Sequence, residues 1–326
     1  MRSSECSTHT HGAKCAPVAT RLYNRRDEKT TQKGWCAAPF ASGAVRSYNG
    51  TMKRIIVVTG ASSGIGWWFA KLLAKESADH PAISSDELWL IARRKERLLE
   101  LQKEIEREGR DTGQRYPQVR VFSMDLAGIA GAARVKELLE REEAAGGIEL
   151  SVLVNNAGFG TYGEFAATDT VRQMQMVDLD CTSLTGITGF ALSYMRRGGR
   201  IINVASLAAF LPLGNFAVYA ACKSYVLYFT VALAAELKPR GIKVTALCPG
   251  PVDTEFAAVA SNGAREKVKH GRSAQKTVEH AIASSRKGKL YSMRFLWWKV
   301  QATLSRFVPR RLGAWATFRF CKRPSR

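Results

Sequence analysis

Tyr219 and Lys223 stand four residues apart, a spacing that puts both side chains on one face of a helix. A lysine ammonium beside a phenol favours the phenolate and lowers its pKa from about 10. A tyrosine tuned that way can give a proton to a carbonyl oxygen near neutral pH, or take one from an alcohol. Ser206, 13 residues earlier, offers a hydroxyl that can hold the same substrate oxygen. A second group of residues suits a phosphate. In Thr59-Gly60-Ala61-Ser62-Ser63-Gly64-Ile65-Gly66, Gly60 permits a sharp turn, Gly64 lets backbone approach a pyrophosphate, and Gly66 lets a helix pack closely on a strand. Alone, a Tyr/Lys pair at this spacing is an ordinary surface pair and the glycine segment is a tight turn. The elements around them decide.

Residues 55–58 form a β-branched run that predicts a buried parallel strand, and a helix follows over 65–75. Further strands are expected at 88–91, 119–122, 150–154, 200–204 and 242–247. Helices are expected at 96–107, 133–143 and 216–237, with two more between the fourth and fifth strands. Strands alternating with helices imply an α/β fold: a three-layer, Rossmann-like, doubly wound parallel sheet flanked by helices. In that frame the glycine segment sits between the first strand and the first helix. There the free N–H groups of a helix N-terminus meet phosphate. Ser206 ends the fifth strand, and Tyr219 and Lys223 ride the long helix.

Four motifs now agree in order and spacing. They are the 59–66 turn, Asn155-Asn156-Ala157-Gly158 after the fourth strand, Ser206 with Tyr219-Ala220-Ala221-Cys222-Lys223, and Pro249-Gly250-Pro251-Val252-Asp253-Thr254. Together they resemble the short-chain dehydrogenase/reductases in their compact single-domain branch, over residues 53–256 with a weaker echo to about 290. The resemblance implies hydride transfer between a nicotinamide cofactor and a carbonyl or alcohol. Tyr219 would be the acid/base, Ser206 would orient the carbonyl, and Lys223 would also bind the nicotinamide ribose. It implies cofactor contacts at Gly60, Ser62, Ser63, Gly64, Ile65 and Gly66. Asp125 and Leu126 would meet the adenine, and Asn156, Ala157 and Gly158 the ribose-side wall. Pro249, Gly250, Val252 and Thr254 would lie beside the nicotinamide. One position departs from the family. Asp180 stands where an Asn usually completes the catalytic set, and a nearby carboxylate would tend to raise the Tyr219 pKa. We expect activity to survive with an altered pH profile, the alternative being an NADP-binding protein of low activity.

The second strand ends Ile91-Ala92-Arg93-Arg94. NAD-preferring relatives carry there an acidic residue for the ribose 2′-hydroxyl. A guanidinium at Arg93 suits a 2′-phosphate instead, so NADP(H) is the expected cofactor. The apolar stretch over 207–216 points to an apolar ketone or aldehyde, although a loop packed on the core explains it equally. The family often forms dimers or tetramers, so a homo-oligomer is expected.

Composition bounds the rest. With 326 residues, 46% of them hydrophobic, the chain can bury a core. Seven cysteines do not make a disulfide scaffold. No uninterrupted apolar stretch predicts a membrane span. The formal charge of +21 is uneven: residues 261–326 hold 17 Lys and Arg against 2 acidic residues, while residues 52–260 hold 24 against 23. We therefore divide the chain into an N-terminal extension over 1–51 expected to be disordered, a catalytic domain over 52–260, and a basic, aromatic-rich segment over 261–326. That last segment reads as a substrate lid or as peripheral helices. Its Trp297, Trp298, Phe307, Lys299 and Arg306 suit an anionic membrane surface, which keeps open a membrane-held reductase of 3-oxoacyl or lipid ketones. No nucleic-acid partner and no metal are expected: Cys6, His9, His11 and Cys15 fit no zinc spacing. Residues 1–51 show no secretory apolar segment, so the cytoplasm is the expected compartment. Met52 looks like a natural start of translation, and the sequon at Asn49 is expected to be idle.

Overall fold

The computed structural model describes residues 52–80, 83–266, 268 and 270–325. The N-terminal extension, its His and Cys residues and its sequon lie outside these.

Seven parallel strands form one sheet. They are β1 (Lys53–Thr59), β2 (Glu87–Ala92), β3 (Gln118–Ser123), β4 (Ile148–Asn155), β5 (Arg200–Val204), β6 (Lys243–Leu247) and β7 (Tyr291–Ser292), in the order β3-β2-β1-β4-β5-β6-β7. The helices are α1 (Gly64–Asp79), α2 (Lys95–Thr112), α3 (Gly128–Ala144), α4 (Thr170–Val177), α5 (Leu184–Ala191), α6 (Ala217–Leu237), α7 (Phe256–Ala260), α8 (Ala274–Arg286), α9 (Leu296–Leu304) and α10 (Arg310–Phe320). Alternate residues of each strand face opposite layers. Ile56 and Val58 of β1 pack with Phe69, Leu73, Leu98, Leu101 and Val278 from α1, α2 and α8. Ile55 and Val57 pack with Val135, Leu139, Ile187 and Leu233 from α3, α5 and α6. Each such side chain contributes roughly 1.5–3 kcal/mol by leaving water. Two buried faces explain why β1 is apolar throughout rather than alternating.

After β3 the chain returns to the other side of β1 and pairs β4 with it. The strand order reverses there, and the helices that follow β1 and β4 go to opposite faces of the sheet, which leaves a crevice beyond the strand ends. The 59–66 turn, Asn156, Ser206 and Pro249 all follow strand ends on this edge.

Three features differ from the sequence expectation. β7 has two residues and no apolar run. Asp178–Ser183 forms a π-helical turn between α4 and α5. The third is α6, which by length and composition is apolar enough to cross a membrane, with a mean hydropathy of 1.4 in its most apolar window. It is nevertheless a core helix carrying Lys223, and it packs on β6 and β5.

Candidate active site

The turn after β1 is built by hydrogen bonds across the crevice. Thr59 Oγ1 donates to the Val154 carbonyl at 3.1 Å. It accepts from the backbone N–H groups of Asn156 and Ala157 at 3.0 and 3.1 Å. Asn156 Nδ2 donates to the carbonyls of Thr59 and Gly60, both at 3.0 Å. This tie brings the two strand ends so close that Gly60, at φ 66°, has no room for a Cβ against Asn156 and Ala157. A Cβ on Gly66 would collide with the Gly60 carbonyl oxygen. At the start of α1, Ser63 makes no side-chain cap and the first turn holds no acidic residue. The helix N–H donors therefore remain for a ligand anion.

The catalytic candidates meet where the end of β5, α6 and the π-helical turn come together. Ser206 follows β5, and its Oγ accepts from the Ala208 N–H at 3.1 Å. Its hydroxyl acts on the Tyr219 phenol, favouring the ionised form. Lys223 is one helical turn on, with Nζ 5.6 Å from the Tyr219 ring centre. The Lys223 ammonium donates to the Val204 carbonyl at 3.1 Å and pairs with Asp180 Oδ2 at 2.9 Å. The other Asp180 oxygen accepts from the Phe159 N–H at 3.0 Å. Asp180 is fully buried, and a Cβ on Gly158 would strike it. Its carboxylate thus sits behind the cleft wall as the counter-ion of Lys223.

The charges have a clear order. Burial opposes the Lys223 cation, but Asp180 and the Tyr219 hydroxyl outweigh it and hold the ammonium above the usual lysine range. Burial also pushes the Asp180 carboxyl up, against the pull of Lys223. For Tyr219 the expectation of a lowered pKa is corrected. Burial raises it and prevails over Lys223 and Ser206, which lower it, while Asp180 adds a further upward push. The sequence showed the ammonium beside the phenol but not the desolvation of the phenol.

A single cleft of about 830 Å³ joins the two groups. It is lined by Gly60, Ser62, Ser63, Gly64, Ile65, Arg93, Asp125, Leu126, Asn156, Ala157, Gly158, Ser206, Tyr219, Lys223, Pro249, Gly250, Val252 and Thr254. Gly66 and Asp180 are not on its surface; they stand behind it. The glycine cradle and the free helix N-terminus fit the phosphates of a nicotinamide dinucleotide. Arg93 and Arg94 both line the cleft. Arg94, to which the sequence reading assigned no role, donates to Ser62 Oγ at 3.2 Å and pairs with Glu255 at 2.8 Å.

Beyond Tyr219 the walls are apolar. Phe216 stacks on the Tyr219 ring at 4.1 Å, and Tyr162 and Phe256 close around them at 4.7 Å from Phe216 and 5.4 Å from Tyr219. Leu207, Phe210, Leu211 and Leu213 continue this wall. The C-terminal segment completes it. Trp298 of α9 packs against Gly250, and Gly214 N–H donates to Thr317 Oγ1 of α10 at 3.0 Å. Asn215 Nδ2 donates to the Phe318 carbonyl at 3.1 Å. Gln301, Ser305, Thr317, Cys321 and Arg323 all line the cleft. None of them carried a motif, so their place here was not legible.

A family model described as short chain dehydrogenase matches residues 54–264. The probable oxidoreductase EphD of Mycobacterium tuberculosis is 32% identical over 219 residues, 66% of this chain and 33% of that protein. The chain thus spans about a third of the length of the first curated relatives it matches. A short-chain dehydrogenase from Sphingobium yanoikuyae, solved in complex with NADPH, superposes with a TM-score of 0.63 at 26% identity, covering 78% of this chain and 94% of that one. A short-chain dehydrogenase/reductase from Burkholderia phymatum, solved with NAD, gives 0.63 at 19% identity over 78% and 92%, a likeness of fold alone.

Proposed function

The chain belongs to the short-chain dehydrogenases, a family of oxidoreductases, and from that premise we propose that it is an NADPH-preferring reductase of an apolar ketone or aldehyde. The observation that carries this reading is the Ser206–Tyr219–Lys223 group set in the same cleft as the glycine cradle. The nicotinamide, when bound, supplies or accepts the hydride. The protein's own residues manage the oxygen. Ser206 Oγ and Tyr219 Oη hold the carbonyl oxygen, and the Tyr219 phenol hands its proton to that oxygen as the alcohol forms. Burial keeps the phenol protonated before reaction, which suits a proton donor. Lys223, held cationic by Asp180, stabilises the phenolate left behind. Asp180 is therefore a positioning residue. In the opposite direction Tyr219 must first ionise, so alcohol oxidation should speed up as pH rises.

The cofactor preference rests on Ala92 at the end of β2, with no carboxylate there, and on Arg93 at the cleft edge. Arg93→Ala should weaken NADPH binding at least about tenfold, the loss of one hydrogen-bonded charge contact, and leave NADH binding nearly unchanged. Fluorescence titration of both nucleotides measures this, and equal losses would refute the assignment.

A membrane-surface reading is favoured by a separate observation. Leu296, Trp297, Leu304, Phe307, Trp315 and Phe320 of the α9–α10 region are exposed. The sequence from 294 to 323 holds eight Lys and Arg and no acidic residue. Apolar rings among cations suit an anionic lipid surface. The inner side of the same helices lines the cleft, so a lipid ketone could enter from that surface.

A further inference from the structure

We infer that Arg265 and Arg323 form an anion site at the outer end of the substrate cleft, and that the substrate is an apolar carbonyl compound bearing an anionic group. The inference deepens the reductase reading and rests on it for the word carbonyl. Both arginines line the cleft and both are half-buried. They converge there from distant parts of the chain. Arg265 Nη2 donates to the Lys322 carbonyl at 3.1 Å, and Arg323 Nη1 donates to the carbonyls of Gly214 and Cys321 at 3.2 and 3.4 Å. Each guanidinium also acts on the Tyr162 hydroxyl, and Arg265 repels Arg323.

Neither arginine has a carboxylate partner among the described residues. The groups that act on Arg323 are Cys321, Tyr162 and Arg265, with no acid among them. Two other guanidiniums drawn into the protein or the cleft edge do have one: Arg94 pairs with Glu255, and Arg200 with Glu76. Two like charges drawn out of water in an apolar cleft are costly without a counter-charge. A guanidinium has five N–H donors, and the backbone contacts above occupy one nitrogen of each. The remaining donors match a carboxylate or phosphate, which takes paired N–H groups. The route back to the chemistry is short. The Arg323 guanidinium lies 5.3 Å from the centre of the Phe216 ring, and that ring stacks on Tyr219. An apolar body spanning this aromatic wall would put its carbonyl at Tyr219 and its anion at the arginines.

Binding to the full-length chain without nucleotide tests the site apart from turnover. The probes are decanoate, decyl phosphate and neutral decan-1-ol, followed by calorimetry. One or both anions should bind at least about tenfold more tightly than the alcohol, and the better one identifies the acidic group. Arg265→Gln and Arg323→Gln should each remove that preference, with alcohol binding unchanged. Arg323→Lys should keep part of it, which separates loss of charge from loss of tail docking. Arg311→Gln, exposed on α10 and outside the cleft, should change nothing. Equal binding of the three probes overturns the inference, as does a preference that survives both cleft variants or falls equally in Arg311→Gln. Tyr219→Phe should leave binding intact, and a native chain that keeps the anion preference but turns over no carbonyl compound would defeat the reductase reading and spare this one.

Discussion

At the scale of single residues, the chemistry turns on a buried ion pair. Asp180 and Lys223 are both inside the protein, 2.9 Å apart. Removing Lys223 would strand a buried carboxylate, at a cost of about 3–5 kcal/mol. A dead Lys223 variant would therefore say little about catalysis. Asp180→Asn is more informative, because Asn keeps the shape and can still accept the Phe159 N–H. The carboxylate pushes the Tyr219 pKa up, so its removal should bring that pKa down. Alcohol oxidation needs the phenolate, and its acidic limb should move to lower pH in Asp180→Asn. An unchanged pH–rate profile would contradict the electrostatic role given to Asp180. The candidate catalytic residues were legible because Tyr, Lys and Ser reveal their chemistry by type and spacing. The state of the phenol was not, because its desolvation comes from Phe216, Tyr162 and Phe256, which three separate segments bring around it.

At the scale of elements, the strand ends are held more tightly than a glycine pattern alone conveys. The Thr59–Asn156 bonds close the crevice between β1 and β4, and Gly66 fits beneath the Gly60 carbonyl with no space for a methyl. Gly66→Ala should cost about 1–3 kcal/mol of stability and weaken nucleotide binding as the turn shifts. Thermal melting and NADPH titration measure the two effects, and a variant unchanged in both would show that the turn is less constrained than its geometry implies. β1 to β6 were visible in the sequence as β-branched or apolar runs, and of these β3, at the sheet edge, is only partly buried. β7 was not, since two residues give no period. The π-helical turn at Asp178–Ser183 was hidden as well, because nothing in Asp-Leu-Asp-Cys-Thr-Ser distinguishes it from an α-helical turn. Such turns occur often at functional sites, and this one carries Asp180 to Lys223.

At the scale of the whole molecule, the strongest departure from a minimal dinucleotide fold is the C-terminal segment. It gives one side to the cleft through Gln301, Thr317 and Arg323 and turns Trp297, Phe307 and Trp315 outward. Its charge was plain in the sequence. Its docking was not, because the residues that fasten it, such as Gly214, Thr317 and Asn215, act through backbone, hydroxyl and side-chain amide contacts that leave no hydrophobic period. The membrane-surface reading belongs at this scale. Full-length protein should co-sediment with vesicles of anionic phospholipid, and less at high salt as the cations are screened. A chain ending at Gly288 should bind them less. Equal binding by the two would remove the tail from that role.

The central claim is proton transfer by Tyr219 to a carbonyl oxygen. Its most direct test is NADPH oxidation by the full chain against apolar ketones and aldehydes, with and without an acidic group, beside Tyr219→Phe. The Phe variant keeps the ring that stacks on Phe216 and removes only the hydroxyl. The account predicts turnover by the native chain that falls at least about a hundredfold in Tyr219→Phe, the lower range for a lost general acid, with NADPH binding retained. Turnover of equal rate in the two proteins would contradict it.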